Sequence, residues 1–82
     1  MKKNNEIDVH NLTVDEALKV VNSAIASYYK YGEQILYIVH GFNKGSKIKE
    51  RLKTIKSNFV RDIKEDPINP GRTIIYLKMK IF

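Results

Sequence analysis

The chain predicts an α/β fold of two layers, a four-stranded mixed sheet in βαβαββ order with two helices on one face, and three observations predict it. Apolar residues follow strand and helix periods in the order strand, helix, strand, helix, strand, strand. Two strand–helix–strand units imply parallel strands joined by right-handed crossovers, whereas the short last connection implies an antiparallel final pair. The 82 residues leave room for one domain and no second.

Each element has its own warrant. Residues 1–5 are polar and read as a tail, ahead of a single domain over 6–82. Residues 6–9 form a first strand in which Ile7 and Val9 face one side, and Asp8 and His10 the other. Thr13 followed by Glu16 has capping-box spacing. Val14, Leu18, Val21, Ile25 and Tyr28 then mark one face of a long helix that Gly32 ends. Of Tyr28, Tyr29 and Tyr31 at its end, at least one belongs to the core and the others to an amphipathic surface. The continuous apolar run over 35–39 suits a central strand, shielded on both faces or flanked on both sides. Ile48, Leu52 and Ile55 at i, i+4, i+7 spacing mark a second helix. Residues 59–64 mix apolar and charged side chains as an edge strand does. The stretch Asp66-Pro67-Ile68-Asn69-Pro70-Gly71 breaks regular structure before a last strand over 73–79. Two helices cover one face of four strands, so the other face stays partly open and carries Tyr37 or Tyr76.

Composition narrows the function classes. With 43% apolar and 29% charged residues the chain is a folded globule rather than a disordered segment. The absence of cysteine excludes disulfides and thiolate metal sites and fits a reducing compartment. The polar N-terminus has no signal-peptide core and no apolar run approaches membrane-spanning length, so the expectation is a cytoplasmic protein with no membrane partner. Nothing in the pattern demands an oligomer, and a monomer is expected. Lys44, Lys47, Lys49, Arg51, Lys53 and Lys56 face a single acid, Glu50, a local balance of +5 in a chain whose total is +6. A basic segment so concentrated favours a polyanionic partner.

That segment begins in the loop His40-Gly41-Phe42-Asn43-Lys44-Gly45, between an apolar strand and the basic helix. Backbone N–H groups at a loop and helix start point one way and attract an anion, so the loop reads as a phosphate holder. It lacks the lysine-serine ending of a nucleotide P-loop.

Taken together, Ile7-Asp8-Val9-His10-Asn11-Leu12 before a helix and His40 to Gly45 after a strand resemble the two signature motifs of the small MutS-related (Smr) domain family. The first family motif, approximately Leu-Asp-Leu-His-Gly, lies over Ile7 to Asn11, and the second, His-Gly-x-Gly-x-Gly, over His40 to Gly45. The resemblance spans roughly residues 6–78 and implies a fold like the C-terminal domain of translation initiation factor 3, with sheet order 1-2-4-3 and strand 4 antiparallel to the rest. Two family glycines are replaced here by Asn11 and Asn43, the residue type that after glycine best tolerates a left-handed backbone.

The resemblance also implies chemistry, because family members with the Asp-x-His pattern are associated with endonuclease activity on DNA or RNA. Asp8 and His10 share a strand face at its C-terminal end, beside a parallel strand that delivers His40, so three polar groups are expected to converge. A carboxylate beside an imidazole orients it for general acid or base work near neutral pH, with His10 relaying the proton and Asp8 orienting it. His40, Gly41, Asn43, Lys44, Gly45 and Lys47 are the expected nucleic-acid-binding residues. RNA could supply its own 2′-hydroxyl as nucleophile and need no metal, whereas DNA requires water and a Mg²⁺ held by Asp8.

Plainer roles stand beside these. Asp8 and His10 could merely satisfy backbone groups at the start of the first helix, His40 could bond a carbonyl at the strand end, and the lysines could form a solvated face. The leading expectation is therefore a nucleic-acid-binding domain with endonuclease activity. The alternatives are a non-catalytic module for branched DNA, structured RNA or ribosomes, and an adaptor that binds protein through the open sheet face.

Overall fold

The structure, a computed structural model, describes residues 5–41 and 46–81, with Ser46 described in its backbone alone. Six elements follow the expected order: β1 (Glu6–Asp8), α1 (Val14–Lys30), β2 (Ile35–Val39), α2 (Ser46–Leu52), β3 (Val60–Glu65) and β4 (Arg72–Leu77). They build one sheet in the order β1-β2-β4-β3, with β1 parallel to β2 and β4 antiparallel to both its neighbours. The short β3–β4 connection and the two crossovers dictate this arrangement, and the expected two-layer α/β fold is the observed one.

Strand phase separates the layers. Leu36, Ile38, Ile75 and Leu77 are fully buried on the helix side, with Val9, Val21, Ile25, Ile48 and Leu52 packed against them. Tyr37 and Tyr76, of opposite phase, both lie half-buried on the uncovered face. The apolar run of β2 therefore reflects a strand flanked on both sides by neighbours, with only alternate residues in the core.

α1 starts on the expected capping box: the Glu16 N–H donates to Thr13 Oγ1 at 3.2 Å and the Thr13 N–H donates to Glu16 Oε1 at 3.0 Å. It ends in a Schellman arrangement, with the Gly32 N–H donating to the Tyr29 carbonyl at 3.0 Å and the Glu33 N–H to the Tyr28 carbonyl at 3.0 Å. Gly32 takes φ +82° there, a conformation that glycine reaches without strain. Ala17 and Ala24 join Val21 and Ile25 in the buried stripe, small residues interleaved among the bulky ones that mark the face in sequence. Tyr28 and Tyr29 pack on the core, Tyr29 stacking on Phe59 with ring centres 4.4 Å apart, whereas Tyr31 is exposed.

Some boundaries differ from expectation. α2 stops at Leu52, short of Ile55, because Thr54 turns its hydroxyl onto the Arg51 carbonyl at 2.6 Å and the Ile55 N–H closes a tighter bond to the Leu52 carbonyl at 3.2 Å. Ile55 reaches the core from the following turn. β4 stops at Leu77, because β3, its partner, begins at Val60. Asn5, counted with the tail in sequence, is bonded to β2: its carbonyl accepts the Tyr37 N–H at 2.9 Å and its amide donates to the Ile35 carbonyl at 3.0 Å. The rest of that tail, residues 1–4, lies outside the described residues. Among the described residues no helix is long and apolar enough to cross a membrane.

Candidate functional site

Parallel pairing brings the C-terminal ends of β1 and β2 together, with Asp8 opposite Val39, and the Val9 N–H extends the ladder by donating to the Val39 carbonyl at 2.8 Å. Val9 is buried, so strand alternation leaves Asp8 outside. Beyond Val9 the chain turns, the Leu12 N–H donating to the Val9 carbonyl at 3.1 Å, and this turn carries His10 back over Asp8. One carboxylate oxygen, Asp8 Oδ1, accepts both the His10 backbone N–H, at 3.0 Å, and the His10 ring nitrogen Nδ1. The two side chains are 58% and 49% exposed respectively, open to any ligand arriving from solvent.

These contacts settle the proton on the ring. The His10 Nδ1 bond, followed by the backbone N–H bond, holds the Asp8 carboxyl below the usual aspartate range, so it is ionised at neutral pH and only accepts. Nδ1 must then carry a hydrogen, which leaves Nε2 of His10 as the nitrogen able to take up or release a proton.

Gly41 joins the two motifs. Its φ of +87° sends the chain out of β2 in a left-handed conformation, and a Cβ built on it would meet His10 Cβ at 3.5 Å. The Gly71 carbonyl, on the β3–β4 turn, accepts both the His40 N–H at 2.9 Å and the Gly41 N–H at 3.1 Å, pinning the start of the loop.

His40 does something else. It shares the phase of Leu36 and Ile38, so its ring lies in the helix layer and is 2% exposed. Nδ1 bonds the Gly41 carbonyl at 3.0 Å and Nε2 the Thr73 hydroxyl at 2.9 Å. Burial pushes its pKa below the ordinary histidine value, so the ring is neutral at pH 7, with Nδ1 donating and Nε2 accepting the hydroxyl proton. The expected convergence of three side chains is thus a convergence of two, Asp8 and His10. His40 stands on the other side of the sheet and holds the Gly41 carbonyl from there.

The remaining expected residues divide in the same way. Lys47 is exposed in the first turn of α2, while Asn43, Lys44 and Gly45 lie outside the described residues. Asn11 is exposed and does not need the tolerance expected of it, since among the described residues no residue but glycine has a positive φ. The basic helix is not uniformly available: Lys49 and Lys53 reach Glu65 of β3 at 3.7 and 2.6 Å.

Sequence reasoning missed three partners. Thr73 completes the hydrogen bonding of His40, and its alternation with Ile75 and Leu77 was the available signal. Asp66 accepts the N–H groups of Ile68 and Asn69 at 2.8 and 3.1 Å, an Asx turn that its place before Pro67 hints at. Arg72 donates to Asp66 at 2.7 Å and to Glu6 at 2.9 Å, a link between opposite ends of the chain with no local signature.

Comparison with known proteins agrees with this fold. The family model described as the Smr domain matches residues 7–78. Among solved structures the chain is similar to the Smr domain of Thermus thermophilus MutS2, with a TM-score of 0.82 at 26% identity, over 89% of this chain and 96% of that one. A comparison with curated protein sequences found no match. The matched span contains the Asp8–His10 pair and all of the βαβαββ frame but Glu6, and the chain belongs to the Smr domain family.

Proposed function

We propose that this Smr domain binds nucleic acid and cleaves a phosphodiester bond, with His10 as the acid/base, Asp8 as its positioning partner and the 41–47 segment holding the phosphate. The observation that carries the reading is the exposed imidazole whose Nδ1 is fixed on a carboxylate, which leaves Nε2 directed to proton exchange. On RNA, His10 takes the proton of a 2′-hydroxyl as its oxygen bonds to phosphorus, the 5′-oxygen leaving on the opposite side takes its proton from water as the P–O5′ bond breaks, and His10 then gives its proton to the hydroxide so formed. The products are a 2′,3′-cyclic phosphate and a free 5′-hydroxyl. Lys47, exposed in the first turn of α2, offsets the charge that builds on the phosphate oxygens.

Among the described residues no group of three or more His, Asp or Glu converges as a metal position. If DNA is cut, Asp8 would hold Mg²⁺ jointly with substrate phosphates, an ion that supplies an activated water. The RNA route draws its nucleophile from the substrate itself.

The test is incubation of labelled single- and double-stranded RNA and DNA with the protein, with and without EDTA, followed by analysis of the product ends. Cleavage of RNA in EDTA with cyclic phosphate ends is expected. Cleavage of DNA alone, abolished by EDTA, contradicts the metal-free route. A second reading, a binding module without catalysis, is favoured by the backbone bond of His10 to Asp8, which gives the carboxylate a purely local task as well. That reading predicts salt-sensitive binding with no product under any condition.

A further inference from the structure

We propose that the uncovered face of the sheet holds the unpaired bases of a single-stranded nucleic acid on two guanidinium–tyrosine stacks, Arg72 on Tyr37 and Arg61 on Tyr76. The inference rests on the nucleic-acid reading above and narrows its substrate to strands whose bases are free. The Arg72 guanidinium lies 4.5 Å from the centre of the Tyr37 ring and the Arg61 guanidinium 5.4 Å from that of Tyr76. Arg61 is the extra residue of a bulge between Val60 and Asp62, the kind of irregularity that re-aims a side chain.

Arg72 is held as a plane rather than offered as a charge. Its Nη1 bonds Glu6 at 2.9 Å, and its Nε and Nη2 each reach Asp66 at 2.7 Å. A guanidinium neutralised by two carboxylates is a weak phosphate ligand, yet bases stack on arginine planes as they do on aromatic rings. On this face Arg61, Lys64 and Arg72 stand against Glu6, Asp8, Asp62 and Asp66, so it carries no surplus of positive charge. Flat groups on a face without such a surplus suit bases.

Register puts these stacks within reach of the candidate site. Asp8, Val39 and Arg72 form one row across β1, β2 and β4, and at about 4.8 Å per strand the backbone of Arg72 is about 10 Å from that of Asp8. Tyr37 pairs with Ile74, so Tyr76 is its diagonal neighbour, roughly 7–8 Å away. A phosphate beside His10 then has one flanking base over the Arg72–Tyr37 stack, and the following base over the Arg61–Tyr76 stack. Bases inside a duplex are stacked on one another and cannot make this contact.

The experiment uses short RNA and DNA oligonucleotides carrying 2-aminopurine, whose emission is quenched by stacking, and their duplexes, with binding followed by anisotropy of an end label. Single strands are expected to bind more tightly than duplexes, with 2-aminopurine emission falling on binding. Tyr37→Leu or Tyr76→Leu should weaken single-strand binding by roughly five- to a hundred-fold and leave duplex binding unchanged. Arg72→Lys, which keeps the charge and loses the plane, should act in the same direction. Quenching in the wild-type protein is a readout that no variant's folding can obscure. Duplexes bound as tightly as single strands, or bound single strands with unquenched emission, would overturn this inference and leave the nucleic-acid reading standing. Absence of binding to every strand would remove both.

Discussion

The two histidines of this chain sit at the ends of neighbouring parallel strands, and their environments are opposite. His10 is half exposed and spends one ring nitrogen on Asp8; His40 is buried and spends both, on the Gly41 carbonyl and the Thr73 hydroxyl. One residue type therefore serves two purposes according to strand phase. An imidazole with a spare nitrogen facing solvent can move protons, whereas one with both nitrogens engaged in a dry site can only hold structure.

Removing each ring should separate these purposes. His40→Ala discards a buried ring and leaves the Thr73 hydroxyl and Gly41 carbonyl without their partner, so it should cost about 2–4 kcal/mol in urea unfolding. His10→Ala, at an exposed turn, should stay within about 0.5 kcal/mol of wild type. Equal losses in the two variants would erase the contrast. Thr73→Val keeps the shape beneath His40 and removes the hydroxyl from Nε2, for an expected loss of about 1–3 kcal/mol by the same measurement. Gly41→Ala should lose roughly 1–2 kcal/mol, the cost of a left-handed alanine. Its new Cβ meets His10 Cβ at an ordinary contact distance of 3.5 Å, so the strain is one of backbone and not of space.

Acid should sharpen the contrast with the smallest change. The folded pKa of His40 lies below its ordinary value because burial disfavours the charged ring. The unfolded chain takes up a proton near 6.5 that the folded chain refuses, so this contribution is complete above about pH 6.5 and declines as pH falls toward the folded pKa. Unfolding free energies measured from pH 7.5 to 5 should slope downward in wild type, and the slope should be shallower in His40→Gln. Asp8 is also depressed, by its bonds from His10, so its contribution is present above the ordinary aspartate pKa and is lost only at lower pH, outside this window.

Much of this frame is legible in the sequence. Thr13 and Glu16 announce the start of α1 through local chemistry, and Gly32 its end, because both act within a few residues of themselves. The phase of β2 was not legible. A run in which every residue from Ile35 to Val39 is apolar hides which alternate set faces the helices, and with it the side on which His40 falls. The length of α2 was hidden by a single competing hydroxyl, that of Thr54. The Arg72 cluster gathers Glu6, Tyr37 and Asp66 from three different elements and turns, contacts that exist only once the sheet order is set. At the site the Asp8–His10 pair was legible because strand alternation and one turn suffice to make it. The expected third member was not there, because His40 points to the other layer.

The most direct test of the account is the cleavage rate of His10→Ala against wild type on a nucleic acid that the wild-type protein cuts, both proteins shown folded by urea unfolding. The rate should fall by roughly 10²–10⁴-fold, the span of a positioned acid/base group. Undiminished cleavage by His10→Ala, or a wild-type protein that cuts no strand offered, contradicts it.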